Sequence, residues 1–396
     1  MTPRLAAFRY DPFAQETFED PYPIYERLRE DHPLYHNHER DFWALSRARD
    51  IQPVLHDHAS FSNANGVDLD GGDQIIGDGN FLDEDPPRHD VMRKIVHGSF
   101  NARTVATLAD FVERRIGELL DVCAQLRRFD FVETLSSPLP LSVICHILGV
   151  PSSDHDKMAH LVHRFTSRDV GSSVVPERAL LAREELAEYF KALAGRRREH
   201  PEDDVLSRVA QAEIDGVQLA DETIVGLVLI LFTAGSGTVS NMLSNSIVNL
   251  HRWPEQREML FAGEVAVDRA VEELIRFDAP IQNTMRTVCE DTQLLGQTIP
   301  AGARLLLVLG SANRDEERYQ HADRLDFGRE PQRHMGFGYG IHFCIGAPLA
   351  RLQARTALEH LIRRKMIFDP TGTGVRNANV DSRGFSVLPV QLIEPS

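Results

Sequence analysis

The run Ile224 to Ala234 (IVGLVLILFTA) is uncharged and almost wholly apolar, and helical spacing carries it from Asp221-Glu222 to Leu250. A helix that is hydrophobic on every face has to be enclosed, either in a protein core or in lipid. The run itself spans eleven residues, whereas crossing a bilayer takes about 20. A central helix walled in by the rest of the chain, with no membrane span, is therefore expected. The walls are available. Apolar residues recur at helical spacing over 20–30, Asn101 to Leu126, Arg178 to Arg198, Pro254 to Phe277 and Ala347 to Lys365. Pro86-Pro87 and Trp253-Pro254 mark helix boundaries. Strand-like stretches are few: 41–46, 303–310 and 385–393, with TIPAG (298–302) read as the turn of a small hairpin. The fold expected is mainly α, a single domain over residues 1–396 with small β-sheets.

Charge and composition narrow the function classes. The chain has 43 Lys+Arg against 59 Asp+Glu, a net charge of −16, and such a surface repels the phosphates of nucleic acids. Four cysteines in 396 residues are too few for a disulfide scaffold and suit a reducing compartment. The N-terminal stretch is charged and broken by prolines, without a signal-peptide apolar region, so a cytoplasmic location is expected. The segment 63–80 (NANGVDLDGGDQIIGDGN) holds five Gly and four Asp. It reads as a long loop of the kind that often serves function.

The most informative segment is FGYGIHFCIGAP (337–348), in which Gly338, Gly340 and Gly346 surround Cys344 and a helix begins directly after it. Glycines there allow a tight turn or the close approach of a flat ligand. A cysteine at a helix N-terminus feels the positive end of the helix dipole, which favours its thiolate. Glycine spacing alone leaves two readings open, a buried structural cysteine beside a turn and a functional thiolate.

FGYGIHFCIG resembles the heme-binding loop of the cytochrome P450 enzymes, with Phe337, the three glycines and Cys344 in register. The resemblance extends over essentially the whole chain and implies the P450 fold. It implies heme b (iron protoporphyrin IX) as cofactor, with Cys344 as the thiolate ligand of its iron, a ligand that favours O–O cleavage. Cys123, Cys145 and Cys289 have no such setting.

Other motifs join this one. Glu273 and Arg276 lie three apart on one helix face, an arrangement that by itself fits a solvated surface pair. The resemblance implies that they form a buried structural cluster with Arg329, which is costly to break. His89 and Arg93 share a helix face in DPPRHDVMRK. The resemblance assigns them to the heme propionates, together with Arg286 and His342. Two glycines in the long apolar helix cost about 1 kcal/mol each relative to alanine, so close packing or a ligand should compensate.

The segment Ala234-Gly235-Ser236-Gly237-Thr238 resembles the family's oxygen-binding groove. Thr238 matches that pattern, whereas Gly237 stands where an acid is usual. Protons are then expected to travel through water ordered by Thr238, by Ser236 or by the substrate.

The resemblance places the substrate pocket at 63–80, 165–173, 231–233, 279–284 and 384–387. Phe232, Thr233, Gln282, Asn283, Phe385 and Ser386 are its candidate contacts. Arg168 is the sole visible clamp for a carboxylate, so a neutral, largely hydrophobic natural product or aromatic is expected. The activity implied is a soluble, monomeric monooxygenase that uses O2 and electrons from a ferredoxin and an NAD(P)H-dependent ferredoxin reductase. Arg351, Arg355, Arg363, Arg364 and Lys365 are candidates for the docking surface of that ferredoxin. Gly237 keeps peroxide-driven oxidation or radical coupling as an alternative. A non-catalytic heme-thiolate binding protein is the alternative from another class.

Overall fold

The computed structural model describes residues 8–72 and 74–393, so Asp73 of the Gly/Asp-rich loop lies outside the described residues. In chain order, the elements that position the site are α1 (Tyr22–Asp31), β1 (Leu34–Asn37), β2 (Phe42–Leu45), β3 (Phe61–Ser62), α2 (Arg88–Phe100) and α3 (Ala109–Leu126). They continue with α4 (Glu177–Glu199), α5 (Asp221–Arg252), α6 (Val267–Phe277), β4 (Asn283–Val288), β5 (Arg304–Val308) and α7 (Ala347–Arg364). The strands form one five-stranded sheet in the order β1-β2-β5-β4-β3, antiparallel except where β5 runs parallel to β2.

Helix α5 carries the apolar run through the core, packed against the helix Pro138–Leu148 and against α4. It is 32 residues long, and by length and composition alone it is long and apolar enough to cross a membrane. Of its apolar window, 78% is buried inside the protein, and that enclosure is what its all-round hydrophobicity requires.

Several element boundaries differ from those read off the sequence. The segment 254–277 is two helices, because Gly263 (φ 75°) ends Pro254–Phe261 before α6 begins. The segment 101–126 breaks at Thr107-Leu108 into Ala102–Ala106 and α3. Residues 385–393 split at Leu388-Pro389. Phe385–Val387 pairs with Val375–Arg376, and Pro389–Ile393 pairs with Ile367–Pro370 and Arg128–Asp130. The hairpin expected at TIPAG turns instead at Leu295-Gly296, both in the left-handed region (φ 49° and 77°), a geometry that matches strand twist. TIPAG itself forms the next turn, leading into β5.

The loop 63–80 is pinned from several sides. Met285 N–H donates to the Val67 carbonyl at 2.6 Å, and Asp78 meets the Thr223 hydroxyl and Arg88. The absence of a side chain at Gly226 lets the Asp78 carbonyl lie directly on α5. The loop thereby becomes one wall of a cavity of about 300 Å³, bounded opposite by the cysteine loop and the start of α7.

Candidate functional site

The turn that holds Cys344 is set by its glycines. Gly338 and Gly340 adopt φ 67° and 71°, and a Cβ on Gly340 would collide with the Leu55 carbonyl. Cys344 N–H donates to the Phe337 carbonyl at 2.9 Å, and Gly346 caps α7. The Cys344 side chain opens onto the cavity. Burial pushes its thiol up, and the amides of Gly346 and Ala347, with Arg93 and Arg351, pull it back. A buried thiol is held protonated by desolvation unless a cation takes the charge.

Four side chains predicted to meet propionates converge beside this loop. Arg93, Arg286 and His342 line the cavity, and the His89 and His342 rings lie 4.4 Å apart. His89 is 1% exposed, with its Nδ1 on the Asp90 carboxylate at 2.9 Å and its Nε2 without a partner, and neither ring nitrogen of His342 has one. Arg93 donates to the Phe343 carbonyl. Arg286 is buried and donates only to the Thr284 hydroxyl and the Met285 carbonyl, without an ion pair among the described residues. Burial lowers its pKa to about 10, with Asp85 acting the other way. Burial and the neighbouring Arg286, His89 and Arg93 lower His342 to about 2. Such a concentration of buried donors and positive charge calls for an anion. The two carboxylates of heme meet that requirement, so the residues present fit the group.

Glu273, Arg276 and Arg329 are brought together as expected. Arg276 holds both Glu273 oxygens at 2.7 and 2.8 Å, and Arg329 reaches the same carboxylate at 3.1 Å. The two guanidiniums also bind carbonyls of Asn313, Ala322, Arg324, Gln320 and His321, all in the segment preceding the cysteine loop.

On α5 the cavity wall is the stripe Leu231, Ala234, Gly235, Thr238, Val239 and Met242, the spacing of one helical face. Thr238 Oγ1 donates to the Ala234 carbonyl at 3.0 Å. Gly235 is closely packed, since a Cβ there would lie 3.0 Å from the Ile144 side chain. At Gly237 a Cβ would meet nothing within 4 Å.

Other candidates fall off this stripe. Ser236 donates to the Thr233 carbonyl, and Thr233 to the Leu229 carbonyl. Phe232 packs against Phe190 at 5.4 Å. Away from α5, Gln282 turns back to the Ala279 carbonyl, Phe385 lies under Arg376 at 3.7 Å, and Ser386 is exposed and bonded to Val375. Asn283 does line the cavity. Arg168 does not; it is paired with Asp70 at 2.6 Å and so offers no clamp to a substrate carboxylate. Four of the five residues of the expected basic patch, all but Lys365, have acidic partners. Arg351 pairs with Glu272, Arg355 with Asp268, Arg363 with Glu113 and Arg364 with Asp121.

The cavity also has walls that no sequence signal announced, among them Phe100, Ile144, Met242 and Asp381.

Residues 266–391 match the family model described as cytochrome P450. A putative cytochrome P450 123 of Mycobacterium tuberculosis is 36% identical over 389 residues, covering 96% of each chain. The cyclomarin C epoxidase CymV of Salinispora arenicola is 35% identical over 353 residues, covering 88% of this chain and 89% of the epoxidase. The chain belongs to the cytochrome P450 family. This P450 also superimposes on the solved structure of PksS, the cytochrome P450 of the bacillaene polyketide synthase of Bacillus subtilis 168. The TM-score is 0.89 at 28% identity, covering 98% of this chain and 100% of PksS. It is accordingly a heme-dependent P450 monooxygenase, whose reaction needs O2, a hydrophobic substrate and a redox partner.

Proposed function

We propose that this P450 holds heme b through Cys344 and inserts one oxygen atom of O2 into a largely hydrophobic small molecule, by hydroxylation, epoxidation or dealkylation. One observation carries the assignment of the heme site: beside the cysteine loop Arg286 is buried without an ion pair among the described residues, Arg93 lines the same cavity, and the Nε2 of His89 and both ring nitrogens of His342 are buried without a partner. When bound, heme supplies the iron at which O2 is reduced and its oxygen passed to substrate.

The chain's own residues do the rest. The Cys344 side chain reaches the cavity from a turn tied by the amide bond to Phe337. The four basic residues would hold the propionates. Ile144, Leu231, Ala234, Val239 and Met242 exclude bulk water from the reacting face. Thr238 donates to Ala234, which leaves its lone pairs free to accept a hydrogen bond from a water in the cavity. With Gly237 in the acid's usual place, and Ser236 committed to the Thr233 carbonyl, that water is the proton carrier.

Electrons come from a ferredoxin and its NAD(P)H-dependent reductase, and the protein acts as a monomer. The epoxidase CymV and the polyketide-synthase P450 PksS support a place in secondary metabolism.

Replacement of Cys344 by Ser tests the reading. The reduced, carbon monoxide-bound holoenzyme should lose the absorption band specific to thiolate ligation; a band that survives in C344S overturns it. Gly237 favours a second reading, peroxide-driven oxidation or radical coupling. Full turnover with peroxide and none with any electron-transfer partner would establish that reading in place of the first.

A further inference from the structure

We propose that Glu272 and Arg351 together trim the reduction potential of the heme iron, Glu272 acting as a positioning residue that fixes Arg351 against the cysteine loop and offsets its charge. The inference rests on the heme reading above and concerns two residues that do not line the cavity.

One carboxylate of α6 ties both arms of the cysteine loop. On the arm before Cys344, His334 is 4% exposed and its Nδ1 accepts from Gly336 N–H at 3.0 Å. The ring proton is therefore on Nε2, which lies 3.3 Å from Glu272 Oε2. On the arm after Cys344, Arg351 of α7 donates to both Glu272 oxygens, at 2.6 and 2.9 Å. Between the arms, the Phe337 ring lies 4.4 Å from the Arg351 guanidinium and 5.7 Å from the His334 ring. The Phe337 carbonyl in turn accepts the Cys344 N–H at 2.9 Å. The neighbouring Glu273 is occupied by Arg276 and Arg329, so α6 gives two successive carboxylates two separate tasks.

The pair bears on charge more than on stability. Its side chains are 41% and 39% exposed, and pairs so exposed contribute little to folding. Burial opposes the charge on Glu272, yet Arg351 and His334 bring its pKa down to about 2, so both members are ionised at neutral pH. The Cys344 thiol is raised by burial, and Arg351 is among the groups that pull it back. Reduction of the ferric thiolate adds one electron, supplied by the redox partner, and with it one unit of negative charge. A cation beside the loop favours that step and an anion opposes it. Arg351 and Glu272 are in contact, so their effects at the thiolate largely cancel, and deleting either one uncovers the other.

Redox titration of the holoenzyme with dye mediators measures this balance, at low ionic strength to limit screening and at about pH 8, where imidazoles are uncharged. Arg351→Met should disfavour the reduced state about tenfold and Glu272→Gln should favour it about tenfold, which is about 59 mV in opposite senses for one electron. The Glu272→Gln/Arg351→Met double variant should return to within about twofold of the wild type. Arg351→Lys, which keeps the charge without the planar fork, should stay close to the wild type. Thermal midpoints and the thiolate band of the reduced, carbon monoxide-bound form establish that each variant folds and holds heme. If Arg351→Met does not hold heme, Glu272→Gln and Arg351→Lys still decide, by a rise in the first and none in the second. Shifts of the same sign in the two single variants, no shift in either, or a double variant displaced as far as a single one overturns the proposal, because those are the marks of a loosened loop and not of a charge. The heme reading fails separately, when the wild type takes up heme without the band of thiolate ligation.

Discussion

At position 237 a helix that carries two cavity-facing neighbours, Gly235 and Thr238, places a glycine with open space around it. Gly235 answers to packing against Ile144, whereas Gly237 answers to nothing steric, so an aspartate at 237 fits without strain. If proton delivery is what limits this enzyme, Gly237→Asp should raise the product formed per NAD(P)H consumed several-fold, since a positioned general acid is worth about 10²–10⁴-fold in rate. An unchanged or lower yield would show that water ordered by Thr238 already suffices. Arg286 poses the converse case, a buried cation with only neutral partners. Arg286→Met should leave the heme-free chain as stable as the wild type or more so, because it removes a desolvated charge. It should also accelerate loss of heme to an apomyoglobin acceptor by about 10- to 100-fold, the worth of a charge-assisted hydrogen bond. Urea unfolding and heme-transfer kinetics measure the two effects separately. Both residues were legible in the sequence because short motifs carry them. Ser236, Phe232 and Ser386 were nominated by neighbourhood, and neighbourhood along a helix or strand does not say which face a side chain takes.

At the scale of elements, the Gly/Asp-rich loop is the part whose behaviour the sequence described least well. Its composition marked only a long loop, and the structure fastens it with arginines from elsewhere. Arg168 reaches Asp70, and Arg183 binds the carbonyls of Ile75 and Ile76. No spacing rule connects Arg168 to Asp70, because the partners are 98 positions apart. Asp70→Asn leaves the Arg168 charge buried without its partner, a loss of about 3–5 kcal/mol where such pairs are broken. Amide hydrogen exchange should quicken in residues 67–72 and 166–170 while α5 and α7 keep their protection. Uniform acceleration across the chain would show instead that the pair supports the whole fold. The helix α7 makes the complementary point. Its arginines looked like a docking surface in sequence, and their pairing with Glu272, Asp268, Glu113 and Asp121 could not be read there.

For the molecule as a whole, a buried polar centre joins the N-terminal region, α5, α6 and the C-terminal segment. Asp278 accepts from the Tyr22 hydroxyl at 2.6 Å and from Arg383 at 2.9 Å, and Arg383 also binds the carbonyls of Phe18 and Glu19. Burial alone would raise the Asp278 pKa, but Arg383, Arg376, the Tyr22 hydroxyl and Arg314 bring it down to about 2 from 3.8. A group depressed on folding contributes stability above its unfolded pKa and loses it as pH falls through the folded value. The contribution, on the order of 2 kcal/mol, should be present above about pH 4 and gone near pH 2. Asp278→Asn should lower stability at neutral pH and flatten the acid unfolding curve across that window; an equally steep curve would place the acid sensitivity elsewhere. The linear sequence by itself determined the helical class, the buried central helix, the cysteine turn and the identity of the basic residues beside it. Each of these depends on residues close together in the chain, through helical period, glycine conformation and i,i+4 spacing. Only the tertiary structure decided which face of α5 meets the cavity, that Arg168 closes on Asp70, and that Asp68 and Asp381 stand together on one wall. Those facts depend on where distant segments are brought by packing, and charge and solvent exclusion act through space, not along the chain.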